Sequence, residues 1–150
     1  MQNGNEEITV ELVEYFNGID FDWGRLKKMT ESICRRFGLN GGTVSIVILN
    51  DETVRKVNKR FLKKDAVTDV ISFDLSDEGK SEKSFELVVN GEKAQKEGGR
   101  RGHGPEAELA LYVAHGLLHN LGFDDSDEAE AEKMHRQEDE ILQQFDYGII

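Results

Sequence analysis

Two histidines, His115 and His119, stand four residues apart in the run HGLLHNLGFDD at 115–125. On a helix, residues i and i+4 share a face, so both imidazoles project the same way. That offers two nitrogens to a tetrahedral ion. Gly122, three places on, can take a positive φ, end the helix and turn the chain back. Asp125, six places after His119, can then bring a carboxylate oxygen to the same point. Two nitrogens and one oxygen suit Zn²⁺, one ion per chain, and leave a fourth coordination position for water. Asp124 is the alternative carboxylate, a better candidate for a cap or for holding an imidazole, and His135 is the reserve ligand. The spacing is that of a zincin-like metal helix. Position 116, however, is Gly where H-E-x-x-H peptidases carry their general base, which disfavours peptide hydrolysis and leaves phosphodiester hydrolysis open.

The elements that must carry this cluster are legible in the pattern. Pro105 suits the first turn of a helix, Glu106 and Glu108 suit its positive end, and Leu109, Val113, Leu117 and Leu118 continue it up to the stop at Gly122. Ser126 is the expected N-cap of a final acidic helix over 127–144 that buries Met134, Ile141 and Leu142. Upstream, alternation over 8–15, the β-branched run 43–49, and the segments 69–74 and 85–90 read as strands. Asp22 caps a helix whose apolar positions are Leu26, Met29, Ile33 and Phe37. Asn50 or Asp51 caps a shorter one facing inward with Val54, Val57 and Phe61. A short helix from Gly91 is possible, and GGRRGHG at 98–104 reads as a flexible stretch. The fold class is α+β, a small mixed β-sheet covered by helices, in one unit spanning 1–150.

Composition bounds the partners. The 150 residues hold 19 Lys and Arg against 30 Asp and Glu, a formal charge of −11, which at first opposes a nucleic-acid partner. The charge is segregated. Residues 1–22 carry six acids and no base, and 124–146 carry a net −8, which leaves +3 for 23–123. Within that middle, VRKVNKRFLKK at 54–64 holds six bases and no acid, so an anionic polymer remains admissible. Arg100 and Arg101 could add contacts from the Gly-rich stretch. Cys34 is a lone cysteine, read as a small buried hydrophobe and consistent with a reducing compartment. No apolar run approaches the roughly 20 residues a spanning helix needs, and the start MQNGNEE lacks a basic n-region and an apolar h-region, so neither a secreted nor a membrane protein is expected. The expected location is the cytoplasm, with no membrane partner.

The two chemical blocks together resemble a known family. Residues 115–124 match the form H-G-x-L-H-x-x-G-[YF]-D-H of the YbeY family, bacterial rRNA-maturation factors and predicted single-strand endoribonucleases. Asn58, Phe61, Lys64, Asp65 and the run Thr68-Asp69-Val70-Ile71-Ser72-Phe73 match a second block, N-x-x-[FY]-R-x-K-D-x-P-T-D-V-[LI]-S-F. FELVVN at 85–90 resembles the strand that follows. Three positions depart: Asp125 replaces the third motif histidine, Leu62 replaces an arginine held to matter for RNA processing, and Val67 replaces a proline.

The resemblance implies a zinc-dependent single-strand endoribonuclease acting in rRNA maturation, with RNA, rRNA or a ribosomal subunit as partner. Its metal site would be His115, His119 and Asp125. Arg55, Lys56, Lys59, Arg60, Lys63 and Lys64 would guide the strand, since a basic rim beside a metal cleft attracts phosphate. Thr68, Asp69 and Ser72 are the cleft candidates for orienting water or ribose, and no general base is assigned. Two alternatives stand beside this reading: a non-catalytic zinc-containing RNA-binding factor and a metallopeptidase.

Overall fold

A computed structural model describes residues 7–79 and 82–148. Four strands, β1 (Ile8–Glu14), β2 (Gly42–Leu49), β3 (Val70–Asp74) and β4 (Lys83–Asn90), form a sheet in the order β1-β2-β4-β3. β1, β2 and β4 run parallel, and β3 pairs antiparallel with β4 at the edge. The register sets Val44 beside Phe85, Ile46 beside Leu87, and Ser72 beside Leu87 on the other side. With a side-chain period of two, Ile8, Val10, Val44, Ile46, Ile48, Phe85, Leu87 and Val89 all fall in one buried cluster.

Helices cover that face. α1 (Trp23–Arg36) starts at Asp22, whose carboxylate accepts the Arg25 N–H at 3.1 Å, and contributes Leu26, Met29 and Ile33. α4 (Pro105–Asn120) is buried on nearly every side, as a helix sandwiched between sheet and helices must be. α5 (Glu128–Gln144) closes the cluster with Met134, Ile141 and Leu142. The opposite face is only half covered. There α2 (Asp51–Leu62), capped by Asn50 on the Thr53 N–H, packs Val54 against Leu49, Ile71 and Val88. The α+β layering is as expected. Cys34 is fully buried, and burial pushes its thiol up to about 12, so it behaves as a small hydrophobe.

Three local expectations are corrected. Phe61 does not face inward from α2: it lies in the last turn, beyond the part of the helix that Val54 seats on the sheet, and is 57% exposed. The segment 98–104 is not a flexible stretch: α3 (Gly91–Arg101) runs through Gly98 and Gly99 and ends at Gly102, in the left-handed conformation (φ 85°). Asn90 makes this helix possible, accepting the Lys93 N–H at 2.9 Å, an N-cap its side chain invites. The N-cap of α5 is Asp127 rather than Ser126, because the Ser126 hydroxyl and N–H both bind the Asp124 carboxylate.

Gly98 shows how tightly α3 meets α4. A Cβ there would lie 2.4 Å from the Gly104 carbonyl oxygen and 2.6 Å from the Pro105 nitrogen. Those are backbone atoms at the entry to α4 and have little room to yield. Gly98→Ala is expected to cost about 3 kcal/mol as overpacking. That lowers Tm by roughly 6–12 °C in a chain of this size. Gly99→Ala, with nothing within 4 Å of its Cβ, should leave Tm unchanged or raise it slightly. Equal thermal melts for the two variants would refute this packing.

Candidate metal centre and cleft

α4 presents His115 and His119 edge to face, with ring centroids 4.7 Å apart. Their Nε2 atoms lie 3.2 Å from each other. Gly122, at φ 104°, reverses the chain, and its N–H donates to the His119 carbonyl at 3.1 Å. Phe123 then anchors the return by packing edge-on against Phe37, with centroids 5.1 Å apart. The Asp124 carboxylate holds the turn through Ser126, which leaves Asp125 to face the rings. Asp125 Oδ2 lies 3.6 Å from His115 Nε2 and 3.7 Å from His119 Nε2.

These three atoms fit one ion. Bonds of about 2.0–2.1 Å to a tetrahedral centre set donor atoms about 3.3–3.4 Å apart, close to the edges of this triangle. Two imidazole nitrogens and a carboxylate oxygen are a donor set that suits a divalent cation. His115, His119 and Asp125 therefore form a group that could hold a metal.

Glu138 of α5 supports the cluster. It is 2% exposed, and its Oε2 lies 2.5 Å from His115 Nδ1. The His115 Nδ1–H donates to that carboxylate, which leaves Nε2 free to ligate. Burial alone would lower the His115 pKa, but the hydrogen bond and charge of Glu138, with Asp69 and Asp125, outweigh it and raise the value. The other Glu138 oxygen lies 3.2 Å from Nδ1 of exposed His135, so His135 stands behind the cluster rather than in it. Sequence reasoning missed Glu138. Its signal was present: Met134, Glu138 and Ile141 share one helical face, and an acid on an otherwise apolar stripe needs a buried partner.

The cluster opens into a cavity of about 810 Å³. Thr68, Asp69 and Ser72 line it, each with defined partners. The Asp69 carboxylate accepts the Val70 N–H at 3.1 Å and the Thr68 hydroxyl at 3.2 Å. The Ser72 hydroxyl donates to the Gly116 carbonyl at 2.8 Å, fastening α4 to β3. Buried Asn90 ties this wall down by donating to the Thr68 carbonyl and to Asp51. Burial would raise the Asp51 pKa, but its bonds to Lys96 and Asn90 hold it below the usual carboxylate range.

Gly116 explains why no glutamate follows His115. A Cβ there would lie 2.8 Å from Val70 Cγ2 and 3.0 Å from the Ser72 oxygen. The position faces the sheet, so a zincin-type base cannot be placed there.

The basic run divides. Arg55 makes two bonds to Asp65, at 2.6 and 3.3 Å, Lys59 also approaches Asp65, and Lys56 approaches Glu52. The guanidinium beside Asp65 holds that carboxyl below its usual range. Arg60, Lys63 and Lys64 make no ion pair among the described residues, and Lys64 lines the cavity. Leu62, where the resembling pattern has arginine, also lines it. Arg100 and Arg101 are occupied elsewhere: both face Glu97, and Arg101 also faces buried Glu108. Asn120, not foreseen, lines the cavity and keeps a buried Nδ2 without a hydrogen-bond partner.

Fold and site define a class: an α+β protein whose central helix carries two histidines that, with a carboxylate from the turn after it, could hold a metal at the floor of a cleft. A family profile described as Endoribonuclease YbeY matches residues 17–146. The chain belongs to the YbeY family of endoribonucleases. The Endoribonuclease YbeY of Bacillus licheniformis is 34% identical over 116 residues, covering 71% of this chain and 73% of that protein. That of Carboxydothermus hydrogenoformans is 31% identical over 134 residues, covering 88% and 94%. The solution structure of TM1509 from Thermotoga maritima shares the fold, with a TM-score of 0.61 over 92% of both chains at 21% identity.

Proposed function

We propose that this chain hydrolyses phosphodiester bonds in single-stranded RNA, with rRNA as its natural substrate, at one zinc ion held by His115, His119 and Asp125. The observation that carries this reading is the convergence of two Nε2 atoms and one Oδ2 within 3.2–3.7 Å at the floor of a cavity reached by Lys64. Bound there, the ion supplies a Lewis acid for phosphoryl oxygen and for water. Lys64 holds a phosphate of the strand, and Asn120 Nδ2 donates to a phosphate oxygen, the partner it otherwise lacks. Asp69, the wall carboxylate outside the ligand set, orients the attacking water and accepts its proton as the new P–O bond forms, while the P–O bond to the leaving ribose oxygen breaks and that oxygen takes a proton from solvent. Glu138 keeps His115 in the tautomer that ligates.

No helix among the described residues is long and apolar enough to cross a membrane. The buried single thiol fits a cytoplasmic site of action, where rRNA is processed.

The test is metal depletion. Chelator-treated protein should lose cleavage of a single-stranded RNA and regain it with one equivalent of Zn²⁺. Cleavage that persists in protein shown to be metal-free would overturn the reading. Leu62 favours a second reading, in which the ion is structural and the chain binds RNA without cutting it, because an apolar side chain lines the cavity where the pattern has arginine. RNA binding with no metal-dependent cleavage would select that reading.

A further inference from the structure

On the far face of the sheet, beside α2, lies a groove of about 630 Å³ that no helix among the described residues covers. Its rim is made of large apolar side chains left open to solvent: Tyr15 is 75% exposed, Phe61 57% and Leu75 57%. Phe73 forms part of its lining and meets Phe61 edge-on, with centroids 5.6 Å apart. The Arg60 guanidinium lies 5.4 Å from the Phe61 ring. The last turn of α2 thus separates two cavities: Leu62 faces the metal cavity, and Phe61, its neighbour, faces the groove. Arg60 of that turn, the C-cap Lys63 and the following Lys64 make no ion pair among the described residues and cluster there.

We propose that this groove is a nucleobase-stacking subsite, which takes the bases of the single-stranded RNA on one side of the cleavage point. The proposal rests on the RNA reading above. Exposed aromatic rings beside unpaired cations are the pairing that single-strand binding needs, rings for the bases and cations for the backbone. Sheet faces carrying aromatics serve this way in other RNA-binding folds. The charge distribution fixes which part of the strand enters. Glu86 sits in the groove directly across from Phe73 and repels phosphate, while its oxygens accept hydrogen bonds from amino groups of bases. The backbone therefore tracks Lys63, Lys64 and Arg60, and the bases turn inward onto Phe61, Phe73 and Tyr15. A duplex, whose bases are already stacked and paired, cannot use the groove.

The experiment measures fluorescence anisotropy of a labelled single-stranded oligoribonucleotide of about ten nucleotides with the metal-free full chain, so that binding is read without cleavage. Phe61→Ala and Tyr15→Ala are each expected to weaken binding about tenfold, and Phe61→Trp to preserve it. An oligonucleotide with abasic positions should bind wild type more weakly and be indifferent to Phe61→Ala. Duplex RNA should show no difference among the variants. Tyr15 is so exposed that its truncation leaves the fold intact, which covers any loosening of α2 in Phe61→Ala. Binding within twofold of wild type for both alanine variants overturns the groove while leaving the metal reading standing, and would assign this face to a protein partner. Wild type that binds no RNA overturns both.

Discussion

His119→Ala is expected to leave the chain folded, without stoichiometric metal and without measurable RNA hydrolysis. The side chain is partly exposed, and its ring contacts chiefly the other donors, so the melting temperature of the metal-free chain should move little. What disappears is one corner of a triangle whose edges are 3.2, 3.6 and 3.7 Å. Two remaining donors cannot close a tetrahedral site against water. A Lewis acid in such a cleft contributes several kcal/mol to the transition state, so the loss corresponds to roughly a thousandfold or more in rate. Elemental analysis of the purified variant, read beside its circular dichroism, decides the matter. One equivalent of tightly held zinc in His119→Ala would show that the ion sits elsewhere, and His115→Ala should repeat the result.

Glu138→Gln should weaken zinc binding by about ten- to a hundredfold while the fold is retained. Glutamine keeps an acceptor for the His115 Nδ1–H, now 2.5 Å from the carboxylate, but removes the charge that makes the opposite nitrogen a better donor. Glu138→Ala separates the two roles of this carboxylate. It leaves a buried imidazole N–H without a partner, a cost of about 1–3 kcal/mol. Tm should then fall by roughly 3–9 °C in addition to the loss of affinity. Zinc titration calorimetry and thermal melts on the two variants measure these effects independently. Unaltered affinity in both would mean that Glu138 only fills space.

The pairing of α5 with the metal helix shows where reading a sequence stops. Met134, Ile141 and Leu142 announced a buried face on that helix, and the structure buries all three. The same face carries Glu138, whose partner lies 23 residues earlier, a distance over which spacing carries no information. The basic run behaves in the same way. Its six bases are plain in the sequence, but which of them are free depends on Asp65 and Glu52, and half prove to be engaged. Arg100 and Arg101 drop out for a similar reason: Asn90 caps a helix through two glycines, and that helix turns both arginines toward Glu97. The total charge of −11 is therefore a poor guide to RNA binding. Under the reading proposed above, the bases that bear on it are Arg60, Lys63 and Lys64, which lie around one helix end and make no ion pair among the described residues.

The sequence by itself determined the cluster that could hold a metal. His115, His119, Gly122 and Asp125 lie within eleven residues, and the helical repeat followed by one glycine turn is enough to bring them together, because local geometry is set by local bonds. It also determined the strands and the central apolar helix, whose side-chain periods are written in the residue order. Only the tertiary structure decided what surrounds the ligands: Glu138 behind His115, the Thr68–Ser72 wall pinned by Asn90, Gly116 pressed to β3, and the aromatic groove beyond α2. Each of those depends on segments distant in the chain meeting at contact distance, and contact is fixed by how whole layers pack rather than by the order of residues within any one of them.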